Sequence, residues 1–280
     1  MAWNITGDLD AFLAAAGGFL RARPAQNTVL LTLTDQLRTR GLTAYGNEPP
    51  LFGWWTGIDG AVGGAFLQTP PYHVNLGTVP EAAAVALAGT WDAAQPLPGI
   101  AAEDRTAEAF TAAWQARTGA GAGIAQRQRL YRLGELTPVR PAPLGRARVA
   151  GPADRELLVR WYDAFADALR SPRGNHADAV DDRITHGGLT LWEADGQPVA
   201  MAGASRLIAR SVRVAPVYTP PGLRGHGYAG AATAAVSQAA LDAGADEVLL
   251  FTDLANPTSN ALYQRLGYRP VDDRTVVIFT

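Results

Sequence analysis

Apolar side chains recur three or four positions apart in residues 8–22 and 26–40, with Pro24 and Gly41 as breaks. This spacing predicts two amphipathic helices. From Leu51 onward the pattern changes to short β-type runs, and helical spacing then returns. The predicted strands are 52–55, 62–67 and 72–79, and the predicted helices are 80–90 and 101–117.

A similar order of patterns follows a segment with three prolines, residues 137–143, which we interpret as a linker. Each half places a tryptophan-containing strand before an Asp-Gly turn, at 59–60 and at 195–196. The halves therefore read as two copies of one plan, although common hairpin chemistry would give the same pattern by coincidence. The predicted elements of the second half are strands 147–150, 189–192, 198–204, 211–219 and 247–252, and helices 152–170, 175–186, about 228–243 and 256–266.

Composition narrows the class of protein. The 280 residues include no cysteine, which excludes disulfide frameworks, thiolate zinc sites and cysteine nucleophiles and favours the cytoplasm. The net charge is −2 and no basic run occurs, so a nucleic-acid partner is not expected. The longest apolar stretch, residues 11–20, is too short to cross a bilayer and follows no cationic segment, so neither a signal peptide nor a membrane partner is expected.

The strand at 211–219 leads into a glycine-rich turn that opens an alanine-rich helix. Such a turn exposes several backbone N–H groups, and the helix dipole adds partial positive charge, so the chemistry indicated is pyrophosphate binding. The alternative is a connection that only lets the chain turn. The residues of the turn are Arg224, Gly225, His226, Gly227, Tyr228, Ala229 and Gly230.

The spacing of Gly225, Gly227 and Gly230 also satisfies the dinucleotide fingerprint, with Asp253 as the ribose-binding acid. A dinucleotide-binding glycine follows its strand almost at once, whereas residues 220–224 intervene here. Too little chain remains after Asp253 for a second mononucleotide half. We therefore reject the dinucleotide interpretation.

The turn resembles motif A of the GNAT superfamily, the acyl-CoA-dependent N-acyltransferases, whose pattern is Gln/Arg-x-x-Gly-x-Gly/Ala. Arg224, Gly227 and Ala229 supply that pattern. Downstream, residues 256–268 are similar to the family's Asn-x6-Tyr-x3-Gly-Phe/Tyr segment. The resemblance covers residues 150–280 well and extends to the first half through the hairpin pattern alone.

The resemblance implies roles for two residues of the second motif. Tyr263 would protonate the departing thiolate, and Asn256 would hydrogen-bond the pantetheine arm or the loop beside it. The residues by themselves leave simpler alternatives, because Asn256 before a proline fits a helix cap and a tyrosine commonly packs in a core.

The resemblance also assigns the donor-binding backbone. The end of the strand would offer main-chain groups to the pantetheine amides, and the turn would hold the pyrophosphate through its amides. His226 would point its side chain to solvent and contribute its amide. The acetyl-CoA-binding residues implied are Val217, Tyr218, Thr219, Arg224, Gly225, His226, Gly227, Tyr228, Ala229, Gly230, Asn256 and Tyr263.

The first half departs from motif A. After its third strand it reads Leu76-Gly-Thr-Val-Pro-Glu81, without the arginine or the glycine pair, and Glu81 would repel a phosphate. We therefore expect an α/β (α+β) protein with mixed, mostly antiparallel sheets flanked by helices. It would hold two tandem GNAT-like domains, a degenerate one at 1–137 and an acetyltransferase domain at 144–280.

The function expected is direct transfer of an acetyl group from acetyl-CoA to the amine of a small molecule. The competing hypothesis is a non-catalytic acyl-CoA-binding or regulatory module. No metal is expected, since the histidines show no ligand spacing. Glu193, Asp253 and a water chain all stay open as the base, and the sequence leaves the acceptor's identity and the oligomeric state open.

Overall fold

The computed structural model describes residues 1–92, 95–169 and 175–280, and its contacts divide the chain into two compact units. Unit 1 contains residues 1–130, 253–255 and 272–280, and unit 2 contains 131–252 and 256–271. The last nine residues thus belong to the unit built mainly from the beginning of the chain. The boundaries at 137 and 144 stay a prediction about domains.

Unit 1 contains four helices and a mixed sheet among the described residues. Its sheet has the order β1-β2-β3-β4-β5, followed by the C-terminal part of β12, which pairs antiparallel with β5. The elements in chain order are β1 (Ala2–Thr6), α1 (Leu9–Ala22), α2 (Thr28–Arg40), β2 (Leu51–Thr56), β3 (Val62–Gln68), β4 (Val74–Leu76), α3 (Glu81–Thr90), β5 (Gly99–Glu103), α4 (Asp104–Thr118) and β6 (Ala122–Leu133).

Unit 2 follows the same order of elements. Its sheet runs β7-β8-β9-β10-β11, and short 3-10 turns precede α5 and α7. The elements that follow in chain order are β7 (Arg146–Val149), α5 (Arg155–Ala168), α6 (His176–Thr185), β8 (Leu189–Ala194), β9 (Gln197–Ala204), β10 (Ser211–Tyr218), α7 (Tyr228–Asp242), β11 (Glu247–Asp253), α8 (Pro257–Arg265) and β12 (Tyr268–Phe279). Only residues 268–271 of β12 belong to unit 2.

The repeat predicted from the hairpin patterns is present in the topology. In both units the sequence strand, two helices, three strands, helix, strand, helix, strand occurs. Both units also pair their fourth and fifth strands in parallel, β4 with β5 and β10 with β11, whereas the preceding pairs are antiparallel. The mixed, mostly antiparallel α/β architecture is confirmed.

The structure corrects the prediction of a helix over 101–117. Residues 99–103 form β5, and α4 begins only at Asp104. The run Gly-Ile-Ala-Ala is short and apolar, so its periodicity does not distinguish a buried strand from a helix. Four of its five residues are buried, as expected for a strand covered on both faces. The predicted strand at 72–79 is also shorter, at Val74–Leu76.

The sheet of unit 2 is packed on both faces. Along β9, Ala200, Ala202 and Ala204 face the cluster formed with α7 and α8. Met201 lies between them in sequence and faces the other cluster, which includes Trp161 of α5. Alternate residues of a strand point to opposite faces, so one strand contributes to both cores. No helix among the described residues is both long and apolar enough to span a membrane.

Candidate acyl-donor site

The strands β10 and β11 separate towards their carboxyl ends. Their parallel pairing covers only Ser211 to Arg213 against residues 247–249, although β10 continues to Tyr218. The pairing of β10 with β9 shifts register between Val214 and Val217. A bulge of this kind bends a strand and re-aims its backbone groups. The result is a gap between two parallel strands, bordered by the main chain at the end of β10.

The residues predicted at this border lie where the strand ends. Val217 packs towards the core of α7 and α8, whereas Tyr218 packs towards the opposite core, with its ring centroid 5.9 Å from that of Trp161. Thr219 follows, and its side chain is 9 % exposed. Its Oγ1 atom is buried and has no hydrogen-bond partner among the described residues. A buried hydroxyl without a partner is costly, so this atom is available to a bound ligand.

The glycine-rich turn presents a run of unpaired amides. Within the described residues, the N–H groups of residues 225–230 make no hydrogen bond, and Ala231 donates the first helical bond of α7, to the Gly227 carbonyl oxygen at 3.0 Å. No side chain caps this helix. By contrast, Asn256 caps α8. The unpaired amides and the helix dipole together form a site suited to an anion.

Two glycines of the turn are required by geometry. Gly227 has φ of +82°, which side-chain-bearing residues rarely adopt. A Cβ atom placed on Gly230 would lie 2.8 Å from Cγ2 of Val139 and 2.9 Å from Cδ1 of Leu262. The proline-rich segment therefore packs beside the turn through Val139.

Arg224 holds the turn against the strand that precedes it. Its side chain is exposed, and its Nε donates to the Thr219 carbonyl oxygen at 3.0 Å. The neighbouring His226 is also exposed, its ring stacks on Tyr228 at 5.5 Å, and its Nδ1 lies 3.3 Å from the Leu223 carbonyl oxygen. The side chains of Arg224 and His226 are thus exposed, whereas Tyr228 packs against the core of α7 and α8.

Asn256 and the first turn of α8 form a polar cluster. The Asn256 side-chain oxygen accepts from the Ser259 amide at 3.0 Å, so the residue is a helix cap. Asn256 is an exposed residue, and its Nδ2 makes no hydrogen bond among the described residues. Asn260 accepts at 2.9 Å from the hydroxyl of Tyr131, which fixes the start of this helix. Capping and ligand binding by Asn256 are therefore compatible.

Tyr263 lies on α8 and faces the same core as α7. Its side chain is 8 % exposed, and its ring stands edge-on to that of Tyr268 at 6.1 Å. Its hydroxyl makes no hydrogen bond to a described residue, and burial raises its pKa to about 12. Tyr263 consequently stays protonated at neutral pH. This holds whether the ring only packs in the core or also donates a proton.

The two carboxylates that the sequence left open as bases are both engaged. Glu193 accepts from Nε of Arg148 at 3.0 Å and from Nη2 of Arg146 at 3.5 Å. Within unit 1, Asp253 accepts from Nε2 of Gln126 at 3.1 Å and from the Ala255 amide at 2.8 Å. Both carboxylates are therefore already engaged by neighbouring groups of the protein.

Residues 158–268 match the model of the acetyltransferase (GNAT) family. We call this matched segment the GNAT domain. The match includes the separated strands, the glycine-rich turn and α8 with Tyr263, and it stops at Tyr268. The matched residues thus include both motifs that the sequence indicated.

Solved structures share the fold over the whole chain. A Drosophila protein superimposes with a TM-score of 0.68 at 12 % identity and covers 99 % of this chain and 98 % of its own. A GNAT-family acetyltransferase from Colwellia psychrerythraea superimposes with a TM-score of 0.61 at 12 % identity, and the match covers 100 % of this chain and 99 % of that protein. A GCN5-related N-acetyltransferase from Sphaerobacter thermophilus superimposes with a TM-score of 0.60 at 17 % identity, and the match covers 98 % of this chain and 94 % of that protein. These identities establish the fold alone. No curated protein sequence matches the chain.

In unit 1, the position that corresponds to the gap of the GNAT domain is filled by the protein's own groups. The pairing of β4 with β5 also ends early, at Asn75 and Ala101. The buried Arg274 of β12 donates through Nη2 to the carbonyl oxygens of Leu76 at 3.1 Å and Ala101 at 2.9 Å. The role of Arg274 was not predicted from the sequence. Its position directly before the mainly apolar residues 275–279 indicates that its charge is buried.

The backbone beyond β4 is satisfied in the same way. The Gly77 amide donates to the Ala65 carbonyl oxygen at 2.9 Å. The next amide, of Thr78, donates to Asn27 Oδ1 at 2.9 Å. The Val79 carbonyl oxygen accepts from Thr106 Oγ1 at 3.0 Å. Few main-chain groups are therefore left here for the amides of a pantetheine arm.

Metal ligation is not suggested by the side-chain arrangement. In residues 1–92, 95–169 and 175–280, no group of three or more His, Cys, Asp or Glu side chains is arranged to hold a metal ion.

Proposed function

We propose that the GNAT domain is an N-acetyltransferase that takes acetyl-CoA as donor and the amine of a small molecule as acceptor. The observation that carries the proposal is the run of unpaired amides at residues 225–230, on an uncapped helix beside the separated strands. A pyrophosphate supplies the anionic acceptors that these amides lack. The donor would lie along the end of β10, with its thioester near the gap.

Acetyl transfer would proceed directly from donor to acceptor. No cysteine is available to carry an acyl group. In this proposal the amine nitrogen attacks the thioester carbonyl carbon while backbone N–H groups at the end of β10 stabilise the developing oxyanion. As the C–S bond breaks, the Tyr263 hydroxyl would protonate the CoA thiolate. The unpaired Thr219 hydroxyl would donate to the pantetheine arm.

Unit 1 is not expected to bind a donor. Arg274 occupies the position between β4 and β5, and Glu81 is the first residue of α3. A carboxylate at that position repels a phosphate. One acetyl-CoA per chain is therefore expected.

Calorimetric titration with acetyl-CoA and CoA, combined with a thiol-release assay on a panel of primary amines, tests the proposal. We expect one site per chain, a melting temperature that rises with donor concentration, and amine-dependent release of CoA. Stoichiometry near two would reject the degenerate character of unit 1. Binding without transfer to any amine would favour the non-catalytic acyl-CoA-binding module, and absence of binding would reject both.

A further inference from the structure

Asp163 of α5 and His176 of α6 form a hydrogen-bonded pair in unit 2. Nδ1 of His176 lies 2.7 Å from Oδ1 of Asp163. Since a carboxylate only accepts, Nδ1 of the neutral imidazole carries the hydrogen and Nε2 carries the lone pair. Nε2 has no hydrogen-bond partner among the described residues, and the side chain is 18 % exposed. The ring of this partly exposed side chain is thus oriented with Nε2 as a proton acceptor.

The topology places this pair at the same edge of the sheet as the separated strands. β8 and β10 run in the same direction, because both are antiparallel to β9. Before α5, Ala150 donates to Leu189 at the start of β8, and after α6, Gly188 donates to Arg183. The start of α5 and the end of α6 therefore both lie near the start of β8, at the edge of the sheet opposite the end of β10. The first residue of α6, His176, therefore lies towards the edge where β10 ends.

Ring contacts continue this placement to the end of β10. The His176 ring lies 6.1 Å from the ring of Tyr162, and the next residue back, Trp161, lies 5.9 Å from Tyr218. Tyr218 directly precedes Thr219, whose hydroxyl has no partner. The pair therefore stands on the α5 and α6 face of the sheet, opposite the face on which α7 and Tyr263 pack.

We propose that His176, oriented by Asp163, removes the proton from the acceptor amine in the acetyl transfer. This inference rests on the proposed function and names the base that the sequence left open. Nε2 of His176 takes one proton from the ammonium group, and the nitrogen lone pair then attacks the thioester carbonyl carbon. The C–S bond breaks, and the thiolate takes a proton from Tyr263. The second proton lost by the nitrogen restores Tyr263, and His176 releases its proton to solvent.

The assignment gives the two partners different roles. His176 contacts the acceptor and is catalytic, whereas Asp163 is a positioning residue that fixes the tautomer of the ring. Replacement of Asp163 should therefore leave the base present but allow both tautomers. The exposed ion pair of Arg155 with Asp181 also joins α5 to α6, with Nε and Oδ1 2.6 Å apart. It provides a matched control for loosened packing of the helices.

The kinetic test uses acetyl-CoA with spermidine, kanamycin, glucosamine and glycinamide, and follows the fastest of these acceptors. We expect His176→Gln to lower the amine-dependent kcat by roughly 10²–10³-fold with unchanged affinity for acetyl-CoA. Asp163→Asn should lower it less, Asp181→Asn should leave it near wild type, and imidazole should restore part of the activity of His176→Ala. Near-normal kcat in His176→Gln, with an active wild type, overturns the inference.

A spectroscopic test does not depend on finding an acceptor. In ¹⁵N NMR of the neutral ring, His176 should show a protonated Nδ1 and an unprotonated Nε2, and Asp163→Asn should mix the tautomers. His176→Gln assigns the resonance. A wild-type ring protonated at Nε2 rejects the inference. If the wild type binds no acetyl-CoA and releases no thiol, the proposed function itself is wrong.

Discussion

Arg274 donates through Nη2 to the carbonyl oxygen of Leu76 at 3.1 Å, across 198 positions of sequence. The same atom donates to Ala101, so one guanidinium joins β4 to β5 in unit 1. The residue is 6 % exposed, and its Nη2 donates to two main-chain oxygens within the sheet of unit 1. In unit 1, Arg274 therefore fills the position between β4 and β5 that corresponds to the gap between β10 and β11 in unit 2.

Replacing Arg274 with methionine should destabilise the protein by about 2–6 kcal/mol, because two carbonyl oxygens each lose a buried donor at roughly 1–3 kcal/mol. Urea unfolding should show a lower midpoint with an unchanged slope. Arg269→Met is the control, since the exposed Arg269 on the same strand donates to Gln264 and Tyr268 at the surface. Equal midpoints for both variants would contradict the role assigned to Arg274.

Gly227→Asp should weaken acetyl-CoA binding at least roughly 100-fold, because a carboxylate would stand against the donor's pyrophosphate. Gly244→Asp is the matched control at the other end of α7. Gly244 has φ of +89°, close to the +82° of Gly227, and a Cβ there meets nothing within 4 Å. Both variants carry the same backbone strain, so calorimetry should separate the charge effect from strain. Equal affinities would remove the pyrophosphate from this turn.

Tyr263→Phe should lower kcat by roughly 10²–10⁴-fold and leave acetyl-CoA affinity nearly unchanged, because a proton donor to the leaving thiolate acts in the transition state. Tyr268→Phe is the control. Its buried hydroxyl lies 2.7 Å from Ser237 Oγ, so its loss should cost stability rather than rate. Steady-state kinetics beside a binding titration distinguishes the two. A normal kcat for Tyr263→Phe would assign that ring to the core.

Acidification should destabilise the protein through His73 in unit 1. Burial and the positive charge of Arg274 lower the pKa of His73 to about 4, against about 6.5 in the unfolded chain. Between these values the unfolded state binds more protons, so stability falls as the pH drops from about 6.5 to 4, by at most roughly 3 kcal/mol. Burial also lowers the pKa of His186 and adds in the same direction.

Urea midpoints at several pH values, for the wild type and for His73→Gln, test this effect. The variant should show a shallower dependence on pH than the wild type, because it lacks one of the groups that gain protons on unfolding. His226→Gln is the control, since that side chain is exposed. Identical pH dependences in the wild type and His73→Gln would show that His73 is already protonated in the folded state.

The sequence by itself determined the local features of the GNAT domain. Gly225 and Gly227 fix a turn through their own backbone freedom, and Asn256 before Pro257 starts a helix, so short stretches of sequence contain the necessary information. The alternating strands and the second motif likewise predicted the family and the mixed sheet. Residues 217–230 lie together in the structure because they are continuous in the chain.

Tertiary structure alone decided the features built from distant residues. Residues 99–103 form a strand because β12 and β4 pair with them, not because of their hydrophobic periodicity. The gap at the end of β10 depends on where its pairing with β11 stops. Arg274 reaches Leu76, and His176 reaches Asp163, only after the chain has folded. Such contacts depend on packing between elements, which hydrophobic spacing along one element does not encode.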